Sequence, residues 1–157
     1  MLRFHHLNIV VADMERSLAY YRDLLGMRQT FETDLQGEWI DTVVGIPGAR
    51  ARCVFVQPDH GGMRLELLQY LDPAGAPVAG ASAPNALGLR HFALEVDDLE
   101  GVVARLRDSG HHVFSDPVRV PFTLVGGIRK TLAYTLDPDG VIVEFCQHDL
   151  EPATANV

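Results

Sequence analysis

From residue 4 to residue 11 apolar side chains alternate with others, and β-branched Ile9, Val10 and Val11 crowd the end of the run. That spacing predicts a strand. In it Asn8 and Val10 share a face with His6, while Leu7, Ile9 and Val11 point the other way. The period then changes. Asp13 is placed to cap a helix, Leu18, Tyr21, Leu24 and Leu25 recur on one helical face, and Gly26 stops it. Strands are predicted over residues 27–33, 51–57 and 64–70. Residues 34–48, broken by Gly37, Gly45, Pro47 and Gly48, are expected to form a loop or short helix over a pocket. Pro58, Asp59, Gly61 and Gly62 mark a tight turn.

The pattern then repeats. Residues 71–87 carry Pro73, Gly75, Pro77, Gly80 and Pro84 and cannot hold regular structure for long, so they read as a linker. Residues 90–96 form a second strand opening on His91. Asp98 caps a second helix with Leu99, Val102, Val103 and Leu106 on its apolar face, ending near Gly110. Residues 112–115 look strand-like, 117–122 extended, and 128–136 and 141–147 are strands about the turn Asp137-Pro138-Asp139-Gly140. Asp149 onward reads as a frayed end, and residues 151–157 as disordered. The expected fold is α+β: two β-α-β-β-β modules, about 4–70 and 88–148, in one domain, forming a cupped half-barrel sheet.

The duplication carries chemistry. With His6 set against His91, an acidic residue stands seven places on in both copies (Asp13, Asp98). Each copy ends on a glutamate four residues after a glycine: Gly62 to Glu66, and Gly140 to Glu144. Both glutamates sit among aliphatic neighbours, where an ionised carboxylate is costly unless paired or bound to metal. A single histidine on an apolar face is ordinarily structural. Two His–Glu pairs at equivalent positions point instead to His6, Glu66, His91 and Glu144 as ligands of one divalent ion, with remnants of an ancestral site as the competing reading. Imidazole with carboxylate suits Zn, Ni, Co, Mn or Fe(II). Four protein ligands in an octahedral site leave two adjacent positions for vicinal oxygens of a small-molecule substrate. A glutamate that leaves the ion can serve as base beside a polarised carbonyl.

Composition narrows the field without choosing a reaction. The chain has 157 residues, 47% hydrophobic and 22% charged, as one soluble domain would. A formal charge of -8 disfavours nucleic acid and anionic membrane as partners. No apolar run is long enough to span a bilayer, and the N-terminus lacks a signal-peptide pattern, so a cytoplasmic location is expected. Cys53 and Cys146, in apolar runs, read as reduced core residues.

The stretches His6–Asp13, Tyr20–Gly26, Leu65-Glu66-Leu67, Arg90–Asp98 and Asp137–Glu144 resemble those of the vicinal oxygen chelate superfamily, which includes glyoxalase I, methylmalonyl-CoA epimerase, extradiol dioxygenases and bleomycin-binding proteins. The resemblance covers about residues 4–148. It implies the same four ligands, His6, Glu66, His91 and Glu144, and a homodimer. It lies nearest the epimerase and glyoxalase I side, because a two-His, one-carboxylate dioxygenase would not need Glu66. It implies a metal-dependent isomerase, epimerase or lyase working through a metal-bound enediolate, with Glu144 or Glu66 as base by analogy with glyoxalase I. Acyl-CoA epimerases carry a further glutamate where Ile46 stands here, which turns the expectation toward a cyclic polyol ketone. The alternatives are an Fe(II) extradiol-type dioxygenase and a drug-binding resistance protein without chemistry. Asn8, Trp39, Phe122 and Tyr134 are candidate substrate contacts, with core packing the competing role for the aromatic ones. Arg129 and Lys130 are candidates to meet a substrate carboxylate or phosphate, with an exposed strand edge the favoured reading. His5 alternates away from His6, and His60, His111, His112 and His148, at turns or strand ends and without repeat partners, read as surface residues.

Overall fold

The computed structural model describes residues 1–150. The chain divides into two compact units, the first covering Met1–Ala79 and the second beginning at Gly80, inside the expected linker. Each unit is one four-stranded sheet with helices.

In the first unit β1 (His6–Val10) leads into α1 (Met14–Leu18), which continues as a π-helical segment over Ala19–Leu24. Then come β2 (Arg28–Leu35), α2 (Glu38–Val44), β3 (Arg50–Gln57) and β4 (Arg64–Asp72), with sheet order β1-β4-β3-β2. In the second unit β5 (His91–Glu95), α3 (Leu99–Asp108), β6 (Val118–Arg119), β7 (Ile128–Leu136) and β8 (Ile142–Leu150) give the order β5-β8-β7-β6. The order of strands is the same in both, and so is the one parallel pair, β1 on β4 and β5 on β8.

Matching local devices build the two copies. Asp13 accepts from the Arg16 amide at 3.0 Å and Asp98 from the Gly101 amide at 2.9 Å, each satisfying a first-turn donor that a helix leaves open. A glutamine from the last strand closes another: Gln69 Oε1 accepts from the Met14 amide at 3.2 Å and Gln147 Oε1 from the Leu99 amide at 3.0 Å. Gly26 and Gly110 take φ of 74° and 79°, the left-handed turn that releases the chain from the helix. The helix-side face of each sheet is the core. Leu65, Leu67, Val54 and Val56 lie with Met14, Leu18 and Tyr21 among the fully buried residues of one unit, and Val143 and Phe145 with Leu99, Val103 and Leu106 in the other. The opposite face carries the glutamates, in the first unit beside a smaller apolar cluster of Ala51, Cys53 and Leu68.

Three expectations need correction. Residues 112–115 form no strand; only Val113 bridges to Thr135, because the segment holds to β7 through isolated bonds at His112 and Phe114. Asp149 and Leu150 are not frayed but end β8, paired with Arg129 and Ile128 of β7. Nor is β7 an edge: it lies between β8 and β6, so Lys130 faces the sheet's neighbours rather than open solvent. Residues 34–48 do contain a short helix, α2, closed by Gly45 at φ 71°. Asp41 ties α2 to the approach to β3, its carboxylate accepting from the Gly48 and Ala49 amides at 2.8 and 2.9 Å. The disorder expected for residues 151–157 lies outside the described residues.

Candidate metal centre

The strand register puts each histidine beside its glutamate. In the parallel pair β1–β4, Asn8 stands opposite Glu66; in β5–β8, Ala93 stands opposite Glu144. In both copies the glutamate therefore faces the residue two beyond the histidine, on the histidine's own face. His6 Nε2 lies 3.3 Å from Glu66 Oε2, and His91 Nε2 lies 3.4 Å from Glu144 Oε2. Two donors bound to one ion at about 2.1 Å sit roughly 3.0–3.4 Å apart at adjacent corners of its coordination shell, so each pair has the atoms and the spacing of half a metal site. Within the described residues, no three His, Cys, Asp or Glu side chains are gathered into a metal-holding group. Each unit thus carries one His–Glu pair at that spacing.

An aromatic ring backs each histidine. Across the ladder from Glu66 is Phe55, its ring 5.5 Å from that of His6; across from Glu144 is Tyr134, 5.0 Å from His91. The structure places Tyr134, a candidate substrate contact, beside His91; Phe55 is a neighbour of the other histidine that sequence reasoning missed, although the repeat places it at the equivalent position. Burial, then the charge of Glu144 to which it hydrogen-bonds, holds the Tyr134 hydroxyl above its usual range.

Around the carboxylates the copies part. Asn8 Nδ2 donates to Glu66 Oε2 at 2.9 Å, and the Cys53 thiol lies 3.5 Å from Glu66 Oε1. Burial first, and Glu66 second, push that thiol up to about 12, so it stays a neutral donor. Glu144 Oε1 instead ion-pairs with the Lys130 ammonium. The hydrogen bond to Glu144 raises the Lys130 pKa, against the opposing effect of burial. Lys130 is thus a partner of a candidate ligand and not the strand-edge residue its sequence context suggests. The signal that would have found it is its spacing of four from Tyr134 on one strand, which sets both on the Glu144 face.

Other expected contacts fall elsewhere. His5 does not turn away from His6: their Nδ1 atoms are 2.7 Å apart, and His5 Nε2 meets the guanidinium of Arg64, which lies over Phe55 at 5.2 Å. Trp39 is 55% exposed on α2, where Ile40 is the buried residue. Phe122 lines a pocket of about 470 Å³ with Arg119 and Arg129. Arg119 and Arg129 pair with Thr131 and Asp149, which sets them on the sheet face opposite Glu144, so the structure does not bring Phe122 to the His91–Glu144 pair. His148, expected to be a plain surface residue, has Nδ1 2.9 Å from Glu95 Oε1. Both cysteines are buried and unpaired, as the sequence implied, and no helix of the described residues is long and apolar enough to cross a membrane.

Two sheets of one strand order, each presenting a His–Glu pair, mark a duplicated scaffold, and comparison with known proteins makes its class specific. The model of the Glyoxalase/Bleomycin resistance protein/Dioxygenase superfamily matches residues 3–145, and the chain belongs to that superfamily. It is 32% identical over 141 residues to the uncharacterized protein YaeR of Escherichia coli, spanning 89% of this chain and 92% of that one. It is 28% identical to mouse mitochondrial methylmalonyl-CoA epimerase over 92% of this chain and 72% of the relative, and 28% identical to a probable lactoylglutathione lyase of Synechocystis over 90% and 92%. Among solved structures, a glyoxalase family protein of Bacillus cereus matches with a TM-score of 0.83 at 21% identity over 96% of both chains, a likeness of fold.

Proposed function

We propose that the protein is a divalent-metal-dependent isomerase or epimerase, or a lyase of the same mechanistic kind, that moves a proton at the carbon next to a carbonyl. The observation that supports this most is the pair of His–Glu half-sites in identical register, one in each copy. Relatives named as epimerase and as lactoylglutathione lyase support the same range of reactions. One ion would take His6, Glu66, His91 and Glu144 as ligands. Bound there, it would supply a Lewis acid for a substrate with two neighbouring oxygens. The chain's own part is then to hold the substrate carbon against a carboxylate. Asn8, which donates to Glu66, and Tyr134, opposite Glu144 in the ladder, offer further contacts to substrate hydroxyls. Ile46, in place of an acid, keeps the proposed substrate a small polyol ketone rather than an acyl-CoA.

The test is metal content of protein purified without added metal, with His6→Ala and Glu144→Ala alongside. About one divalent ion per chain in the wild type, and a loss of at least roughly tenfold in affinity in both variants, is expected. Solvent deuterium should then enter next to the carbonyl of hydroxy ketones. Bound Fe(II) with oxygen uptake on catechols would replace this reading by the dioxygenase one. Failure to bind any divalent ion, even after reconstitution, would leave a protein that only binds.

A further inference from the structure

The two glutamates are not held alike, and the difference assigns them different work. Glu144 has a side chain 5% exposed. Its Oε1 carries the Lys130 ammonium, its Oε2 faces His91 at 3.4 Å, and Tyr134 stands opposite it in the ladder. Lys130 is itself only 23% exposed, so swinging the carboxylate away would strand a cation in a poorly hydrated place. Glu66 is 19% exposed and has neutral company: the Asn8 amide at 2.9 Å, the Cys53 thiol at 3.5 Å, and the His6 ring at 3.3 Å. The cation nearest in register, Arg64, is turned onto His5 and the face of Phe55 instead. Rotating Glu66 therefore breaks no described contact to Lys or Arg.

We infer that Lys130 is a positioning residue that pins Glu144 as a fixed ligand through Oε2, so that Glu66 is the carboxylate free to detach and carry the substrate proton. This rests on the function proposed above. The register explains why only one copy has the tether: Lys130 stands four residues before Tyr134 on β7, and the residue four before Phe55 on β3 is Ala51.

The ion alone serves as the probe. Full-length protein is titrated with Co²⁺ and its visible spectrum recorded, for wild type, Lys130→Met, Lys130→Gln and Lys130→Arg. An ammonium a few ångströms from a divalent ion repels it, so removing the charge should tighten Co²⁺ by about tenfold. It should also shift the Co²⁺ bands, because the freed carboxylate can turn both oxygens to the ion. Lys130→Arg should restore the wild-type affinity and spectrum. A merely structural lysine would show instead unchanged or weaker binding with an unchanged spectrum in both neutral variants, and that result overturns the proposal. In Glu66→Gln, Co²⁺ should be retained while deuterium exchange into dihydroxyacetone falls by about 100-fold. Exchange that survives in Glu66→Gln but is lost in a metal-loaded Glu144→Gln also overturns it. Wild type that takes up no Co²⁺ defeats the metal reading itself, whereas wild type that binds Co²⁺ identically to Lys130→Met defeats only the role of Lys130.

Discussion

The His6–Glu66 and His91–Glu144 pairs are one device built twice, and they differ in everything except the device. Strand order, parallel pairing, register, helix cap, glutamine lock and an aromatic ring beside the histidine are common to both units. The surroundings of the carboxylate are not: an amide and a thiol in one, an ammonium and a phenol in the other. Duplication of a sequence preserves backbone hydrogen bonding, which is dictated by period and turns. It does not preserve the charge of the side chains that surround a site, because a single substitution on a neighbouring strand resets that charge without disturbing the ladder.

The sharpest break of the comparison is a pair of substitutions. Glu144→Leu leaves Lys130 half-buried without its carboxylate and should cost about 3 kcal/mol or more. Glu66→Leu leaves only neutral partners and should cost roughly 1 kcal/mol. Urea unfolding of both variants without metal measures the gap. Equal losses would mean that the two environments are energetically alike, whatever their chemistry. The helix caps, by contrast, should behave as true equivalents. Asp13→Ala and Asp98→Ala should each cost about 1 kcal/mol by the same measurement, since each loses one bond to a first-turn amide.

The last effect expected is one of pH, absent near neutrality and felt only in alkali. The Cys53 thiol is pushed up to about 12 in the folded chain, while an unfolded thiol ionises near about 8.5. Between those values the unfolded chain sheds a proton that the folded chain keeps, so stability falls as pH rises from about 9 toward about 12 and is untouched below that range. Cys53→Ala should flatten the slope. Burial raises the Cys146 thiol too, so part of the slope should remain. Unfolding midpoints recorded across that range in both proteins check the sign.

Much of this was legible in the chain. The period of 2 in the strands, the shift to helical spacing after Asp13 and Asp98, and the stops at Gly26 and Gly110 come from local sterics and capping. Those forces act over a few residues and leave their mark in order along the sequence. The repeat then named His6, Glu66, His91 and Glu144, because a histidine and a carboxylate recurring at matched places in apolar strands stand out against the cost of burying them. Residues 112–115 misled because Val113 and Phe114 look strand-like, while the segment meets β7 at a single bridge and builds no ladder.

What the sequence could not decide is which side chains meet across strands. Lys130 looks like any basic residue on a strand until β7 is found between β8 and β6, where it stands opposite His148 and its long side chain reaches Glu144 on the same face. Phe55 looks like core until its ladder partner proves to be Glu66. His5 looks averted from His6 until the chain before β1 lets it fold back. Such contacts join residues far apart along the chain, or depend on where a strand starts, and no periodicity encodes them. By itself the sequence determined the elements, the duplication and the four candidate ligands, since these rest on local preference and on the penalty for unpaired buried charge. Only tertiary pairing decided what each ligand touches, because strand neighbours are chosen by the whole sheet and not by the residues beside them.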